Sequence, residues 1–255
     1  MLTIPDSLIT RLAEAKTVTV LTGAGISAES GVPTFRDAQS GLWARYDPHQ
    51  LATAEGFASN PKLVWEWYEW RRQIISKVRP NPGHVALAEM ERLFPKYSLI
   101  TQNVDALHER SGSKDVIELH GNIHRNKCFV EGIVIDSWPS DDSVPPRCPR
   151  CSGWLRPDVV WFGESLPLAA LAHAELSAMT CEVFLSVGTS SQVHPAAGLA
   201  DAAKAAGAVI VEINLEKTPL TKTADYSLRG KAGELLPALV TAIGSQSAER
   251  KTGSE

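Results

Sequence analysis

The sequence predicts an α/β fold: a parallel sheet covered by helices, with a smaller domain formed by two insertions. Three observations carry this expectation. Apolar, β-branched runs without period-two alternation recur along the chain, separated by helix-like segments, which is the pattern of strands buried on both faces. The first run ends directly in a glycine-rich turn. Two stretches break the alternation, and one of them holds three of the four cysteines.

The elements follow in order. Ser7 to Ala15 is amphipathic and reads as a helix, and Thr17 to Thr22 reads as a strand. Gly23-Ala24-Gly25-Ile26-Ser27-Ala28 then reads as a turn opening a helix. Residues 40–79 hold no convincing strand and end in a tryptophan-rich helical stretch, Val64 to Val78. A helix at Pro82 to Leu93 and strands at Tyr97 to Thr101 and Val116 to Leu119 come next. Residues 123–158 carry the clustered cysteines, several prolines and little periodicity. Helices at Pro167 to Met179, Pro195 to Ala206 and Ala232 to Ile243 alternate with strands at Glu182 to Val187 and Ala208 to Ile213. Gly244 to Glu255 is small and polar and reads as a frayed tail. The expected division is a sheet domain of residues 1–39, 80–122 and 159–245, a small helical and metal-binding domain of 40–79 and 123–158, and a flexible tail at 246–255.

Composition narrows the function. Lysine and arginine total 25 against 29 acids, a net charge of −4, which argues against a nucleic-acid footprint or an anionic membrane surface. No run approaches the ~18 apolar residues of a spanning helix. Asp6, Arg11, Glu14 and Lys16 interrupt the first segment, so it lacks the apolar stretch of a signal peptide, and a cytoplasmic location is expected.

In Gly23-Ala24-Gly25 the glycines allow a tight turn and close backbone approach to a phosphate, and the following helix start would present N–H groups to that anion. Strand–glycine turns also serve packing alone. A hydride-transferring Rossmann enzyme should continue into a second strand ending in an acid ~20 residues on. Asp47 lies at a plausible distance but follows no strand, which weakens that reading. Gln102, Asn103 and Asp105 follow a strand end, where open α/β sheets bind ligands. They suit ribose hydroxyls, and Asn103 or Asp105 equally suits a helix cap.

His120 ends the Val116 to Leu119 run, where a neutral imidazole can take a proton near neutral pH, although a lone histidine is more often structural. Cys128 and the Cys148-Pro149-Arg150-Cys151 pair have the bite of a tetrahedral zinc site lacking one thiol. Glu131 or Asp136 could complete it, or the site is empty and the thiols are simply buried. Tyr68 and Arg71 share a helical face, and a phenol beside a guanidinium can hold a carboxylate. An arginine lying over an aromatic face fits the same spacing.

Together these elements resemble the sirtuins, the NAD-dependent protein-lysine deacylases. The resemblance rests on Gly23 to Arg36, Thr101-Gln102-Asn103-Val104-Asp105 and Leu119-His120-Gly121-Asn122. Val160-Trp161-Phe162-Gly163-Glu164, Gly188-Thr189-Ser190 and Asn214-Leu215-Glu216 support it, in that order, from about Val18 to Val240. It implies a Rossmann-like NAD domain beside a zinc-ribbon and helical domain. Gly23, Ala24 and Gly25 would line the pyrophosphate, with Ile26 and Glu29 in the same segment and Phe35 and Arg36 on a loop over the nicotinamide end. Gln102, Asn103 and Asp105 would hold the nicotinamide ribose and amide. Gly188, Thr189, Ser190, Asn214 and Glu216 would surround the adenosine half, with Ala232 near the adenine. The Val160 to Glu164 strand, through Val160, Phe162 and Gly163, would pair with an acylated protein segment bound as an extended strand.

The resemblance also implies the reaction. The acyl-lysine carbonyl oxygen attacks the ribose C1′, nicotinamide leaves and an alkylamidate forms. His120, with Asn103 as the other catalytic residue, takes a proton from the ribose hydroxyl so that it attacks the amidate. Water then completes the release of lysine and O-acyl-ADP-ribose, and NAD is consumed rather than reduced. In the subgroup that removes succinyl and malonyl groups, a Tyr-x-x-Arg pair reads the acyl carboxylate and a small residue widens the pocket. Tyr68, Arg71 and Ala52 match that pattern. One structural zinc per chain is implied, on Cys128, Cys148 and Cys151, where Glu131 replaces the family's usual fourth cysteine. A nicotinamide-dependent oxidoreductase and a non-catalytic NAD-sensing module are the competing readings.

Overall fold

The structure, a computed structural model, describes residues 4–33, 47–138 and 143–252, the last six of these by backbone alone. Its strands are β1 (Thr17–Thr22), β2 (Lys96–Thr101), β3 (Ile117–Glu118), β4 (Gly121–Cys128), β5 (Val134–Ile135), β6 (Leu155–Val159), β7 (Val183–Val187), β8 (Val209–Asn214) and β9 (Tyr226–Arg229). Six of them form a parallel sheet in the order β3-β2-β1-β7-β8-β9. The other three form a small antiparallel sheet in the order β5-β4-β6.

Helices α1 (Asp6–Glu14), α2 (Ala24–Ala28), α3 (Pro48–Leu51), α4 (Ala54–Ser59), α5 (Pro61–Lys77), α6 (Pro82–Met90) and α7 (Leu107–Arg110) precede β3, and α8 (Leu168–Thr180), α9 (Gly198–Ala205) and α10 (Ala232–Thr252) follow β6. The missing alternation in the strands has a simple cause: both faces of the sheet are apolar. Val18 and Val20 of β1 join one core with Leu8, Leu12, Leu87 and Leu239 of α1, α6 and α10. Leu21 faces the opposite core with Phe184, Ala174 and Leu199, under α8 and α9. No described helix is long and apolar enough to cross a membrane.

The helices of the first insertion are fixed by their caps. Asp47 forms a capping box with Gln50 and precedes Pro48, Thr53 caps α4, and Asn60 caps α5 ahead of Pro61. Asp47 is therefore a helix cap. Phe57, Trp67, Tyr68 and Ile75 of these helices pack with Ile123, Val159 and Trp161 from the second insertion and its borders. Arg72 pins α5 to β4, donating from Nε to the Ile123 carbonyl at 2.6 Å and from Nη2 to Asn126 Oδ1 at 2.5 Å.

Four features depart from the sequence expectation. The cysteine-bearing stretch contains an antiparallel sheet whose strands, such as Leu-Arg-Pro-Asp-Val in β6, are too polar to announce themselves. Edge strand β9 buries only Leu228. The Val160–Glu164 segment is not a strand: β6 stops at Val159, and Glu164 N–H bonds back to the Trp161 carbonyl with Gly163 at φ +83°. The expected tail from 246 is helical to Thr252, and Gln246 docks on Thr10 of α1 at 2.9 Å.

Candidate active site

Strand order creates the site. The chain runs outward from β1 through β2 to β3 on one side and from β7 through β8 to β9 on the other, so the order reverses between β1 and β7. Beyond the carboxyl ends of such a pair lies the crevice where open α/β sheets bind ligands. Two glycine turns meet there. Gly25 N–H donates to the Gly188 carbonyl at 2.8 Å, and Gly23 N–H to the Val187 carbonyl at 3.0 Å. A Cβ on Gly25 would lie 2.7 Å from Gly188 Cα, and Gly188 itself has φ +61°. The turns have no room for side chains between them, so the glycines serve packing as well as any approach to phosphate.

Asn103 is anchored from both ends. Its backbone N–H donates to Thr101 Oγ1 at 3.0 Å, and its Nδ2 donates to the Gly23 carbonyl and to Ser27 Oγ, both at 3.0 Å. Thr101 Oγ1 lies 2.9 Å from Thr22 Oγ1, which in turn meets His108 Nε2 at 2.9 Å. His84 Nε2 reaches Ser27 Oγ at 3.4 Å, and the two imidazoles lie 4.9 Å apart. Burial pushes His84 down to about 4, and burial plus the neighbouring His84 pushes His108 down to about 3, so both are neutral supports. Asp105 is buried and lines the cavity, and it accepts from Leu107 N–H, the first of α7, at 3.0 Å, one residue before the Ala106 N-cap. Burial raises its carboxyl above the usual range.

His120 is half-buried, with Nδ1 2.9 Å from the Gln102 carbonyl. A carbonyl can only accept, so Nδ1 carries the proton and Nε2 is left as the basic nitrogen. Burial holds this imidazole below the ordinary histidine value, opposed by the hydrogen bond to Gln102.

Across the cavity, Trp161 Nε1 donates to the Tyr68 hydroxyl at 2.9 Å. Burial raises the Tyr68 phenol, which stays protonated. The Arg71 guanidinium sits 5.0 Å from the Trp67 ring centroid and 5.9 Å from that of Tyr68. Burial lowers its basicity, opposed by Tyr68 and Asp105. Ala52 is buried, and its carbonyl accepts from Phe162 N–H at 2.9 Å. Val160 N–H is likewise bound, to the His120 carbonyl at 2.9 Å. The turn that follows is braced from below by buried Arg156, which forks onto Glu164 and stacks on Trp161.

One cavity of about 1050 Å³ unites these groups. Gly23, Ala24, Gly25, Gln102, Asn103, Asp105 and His120 line it. So do Gly188, Thr189, Ser190, Asn214 and Glu216 on the opposite wall, and Ala52, Tyr68, Arg71, Val160, Phe162 and Gly163 at the far end. Three expected residues lie outside the lining. Ile26 is fully buried in the core, Ala232 packs against the same core, and Glu29 accepts from Gly233 N–H at the start of α10 at 3.2 Å. Phe35 and Arg36 lie outside the described residues. Sequence reasoning missed Ser27, whose hydroxyl links Asn103 to His84, and the Gln192-Val193-His194 rim. Ser27 stands inside the glycine motif, but only the fold reveals that its hydroxyl turns towards β2.

The expected metal ligands form a separate cluster. Ligand atoms of Cys128, Glu131, Cys148 and Cys151 all lie within 4.8 Å of one another, with Cys128 Sγ 3.4 Å from Cys151 Sγ and Cys148 Sγ 3.9 Å from Glu131 Oε2. A tetrahedron of ~2.3 Å zinc–sulfur bonds has edges of about 3.8 Å, so three thiolates and one carboxylate here fit a structural zinc. Asp136 is not in the cluster. Arg150 Nε lies 3.6 Å from Glu131 Oε2 and would orient that carboxylate from outside.

Comparison with known proteins agrees with this geometry. A model of the Sir2 family matches residues 23–195. An NAD-dependent protein deacylase of Aquifex aeolicus is 54% identical over 216 residues, covering 84% of this chain and 90% of the relative. NAD-dependent protein deacylase 2 of Pyrobaculum aerophilum is 52% identical over 232 residues, covering 91% and 93%. A solved Sir2 homologue–NAD complex superposes with a TM-score of 0.89 at 46% identity, over 96% of both chains. Sir2 bound to an acetylated peptide superposes at 0.83 with 29% identity, over 95% of this chain and 99% of that one. With a family model spanning most of its length and relatives at about half identity, the chain belongs to the Sir2 family.

Proposed function

We propose that this enzyme, an NAD-dependent protein deacylase, removes succinyl and malonyl groups from lysine as well as acetyl groups, giving nicotinamide, O-acyl-ADP-ribose and free lysine. The carrying observation is the Tyr68–Trp161 hydrogen bond beside Arg71. With its oxygen already accepting from the indole, Tyr68 has its O–H left to donate, and no described acid is hydrogen-bonded to Arg71. A donor hydroxyl and a guanidinium at the end of an acyl channel are the complement of a carboxylate. Ala52 leaves space there for a longer acyl chain.

NAD is the co-substrate and would supply the ribose whose C1′ releases nicotinamide and whose hydroxyl oxygen receives the acyl group. The cavity is large enough for a dinucleotide together with an acyl-lysine side chain. In this reading Gly23, Ala24 and Gly25 approach the pyrophosphate with bare backbone. Gln102, Asn103 and Asp105 hold the nicotinamide ribose and amide, and Asn103 keeps its orientation through Gly23 and Ser27. His120 Nε2 takes the proton of a ribose hydroxyl, and its low basicity keeps it unprotonated and ready at neutral pH. Gly188, Thr189, Ser190, Asn214 and Glu216 serve the adenosine half.

The protein substrate enters as an extended segment beside Val160, Phe162 and Gly163, an inference supported by the Sir2 complexes with an acetylated peptide and with a p53 peptide and NAD. Val160 and Phe162 have already committed their N–H groups to His120 and Ala52. Pairing therefore falls to the Val160 carbonyl and the Gly163 backbone. Cys128, Glu131, Cys148 and Cys151 would hold zinc as a brace between β4 and the Cys148–Cys151 turn, away from the cavity.

Arg71→Met tests the acyl reading. Desuccinylation should fall at least about 100-fold in kcat/KM while deacetylation changes little, since a buried charged hydrogen-bond pair is removed from one substrate only. Equal loss of both activities would sink the carboxylate reader.

A further inference from the structure

Glu212 is a carboxylate in the middle of β8, only 1% exposed, and every polar group around it is a donor. Thr218 Oγ1 donates to its Oε1 at 2.5 Å. Thr221 Oγ1, Ser227 Oγ and Arg229 Nη2 donate to its Oε2 at 2.8, 3.2 and 2.5 Å. Burial alone would raise this carboxyl, but the Thr218, Thr221 and Arg229 hydrogen bonds outweigh it and hold the group below its usual value. A buried ion pair of this kind adds little net stability, because desolvation offsets the attraction. What it does fix is geometry.

The geometry concerns the segment that follows β8. Arg229 on β9 sits opposite Asn214 in the strand register and spans two targets. One nitrogen, Nη2, holds Glu212 and Thr221 Oγ1, and the other, Nη1, donates to the Glu216 carbonyl at 2.7 Å. Thr218 is tied twice, its hydroxyl to Glu212 and its N–H to Thr221 Oγ1 at 2.9 Å. Asn214 closes the other end, donating from Nδ2 to the Thr189 carbonyl at 2.7 Å. The stretch so fixed, Asn214 to Thr218, is one wall of the cavity, and Leu215, Glu216 and Lys217 within it are exposed.

We propose that Glu212 and Arg229 form a clamp that pre-shapes the Asn214–Thr218 wall for the adenosine half of NAD and so sets the affinity for the co-substrate without touching it. The inference rests on the reading that Asn214 and Glu216 serve the adenosine. Glu212 and Arg229 are positioning residues, and without them the wall must be ordered at the moment of binding, which weakens affinity.

The test uses the full-length enzyme with Arg229→Met, Thr218→Val and Asn214→Ala. Arg229→Met suits the purpose because the side chain is 30% exposed and its loss leaves Glu212 with three hydroxyl donors. The readouts are KM for NAD, KM for the acyl peptide, kcat, and inhibition by AMP and by nicotinamide. Arg229→Met and Thr218→Val should raise KM for NAD and the AMP inhibition constant in parallel, by about fivefold or more. Peptide KM, kcat at saturating NAD and the nicotinamide inhibition constant should stay within about twofold. A general loss of structure would move all five together, and that result would overturn the clamp. If Asn214→Ala weakens NAD and AMP while Arg229→Met and Thr218→Val do not, the clamp is wrong and the adenosine site stands. If Asn214→Ala leaves AMP unaffected, the adenosine reading fails and the clamp fails with it.

Discussion

Trp161 Nε1 donates to the Tyr68 hydroxyl at 2.9 Å, and this contact decides which way the phenol can bond. Tyr68 is 3% exposed, so an unpartnered hydroxyl there would be costly. The indole takes the acceptor side and leaves the O–H to donate into the cavity. Tyr68→Phe should therefore lower kcat/KM for a succinyl-lysine peptide by about 10- to 100-fold, the worth of a hydrogen bond to a charged group. Acetyl-lysine turnover should stay within about threefold. The same variant strands the indole N–H in the core and should cost about 1–3 kcal/mol in a denaturant titration.

The pH–rate profile follows from His120. Only the neutral imidazole can act as base, so kcat/KM rises with pH through the histidine pKa and then levels. Burial sets that pKa below the ordinary ~6.5. The half-maximal point on the acid side should therefore fall below pH ~6.5, and His120→Ala should abolish multiple-turnover deacylation, leaving at most about one nicotinamide released per enzyme. A rising limb centred above pH ~7 would mean that another group supplies the base.

Acid stability should report on the buried histidine pair. His84 and His108 are depressed to about 4 and about 3 in the folded protein, against ~6.5 unfolded. Between those values the unfolded chain binds more protons than the folded one, so stability is complete above pH ~6.5 and is lost as pH falls towards 4 and below. Two such groups give a limiting slope of about 2.7 kcal/mol per pH unit. Urea titrations across pH 7 to 5 should reveal that slope, and His84→Gln with His108→Gln should flatten it.

Legibility from sequence followed hydropathy. The five apolar strands β1, β2, β3, β7 and β8 were readable because both faces are buried, and the glycine turns because only glycine fits where Gly25 meets Gly188. Strand β6 was not readable, since Arg156 and Asp158 are polar and stabilised by contacts with Glu164 and with Arg125 and Lys127 that no local pattern foretells. Among residues that line the cavity, those in strand-end motifs could be read from sequence. Ser27, His84 and His108 could not, because their roles depend on hydrogen bonds between segments distant in sequence. Glu29 lies outside the cavity lining and accepts from Gly233 N–H at the start of α10, a contact that no local pattern foretells.

Metal content is checked by elemental analysis after gentle purification, with about one zinc per chain expected from the three thiols and Glu131. Glu131→Ala should lose zinc faster to a chelator and lower the melting temperature, whereas Glu131→Cys should retain it longer than the native chain. Well under one zinc in the native protein would mean that the cluster stands empty.

The most direct measurement incubates the native enzyme with NAD and three peptides that differ only in an acetyl, malonyl or succinyl group on one lysine, followed by mass spectrometry. Deacylation of all three is expected, with malonyl and succinyl kcat/KM at least equal to acetyl, and with one nicotinamide released per lysine freed. Turnover of the acetyl peptide alone would contradict the carboxylate-reading role of Tyr68 and Arg71.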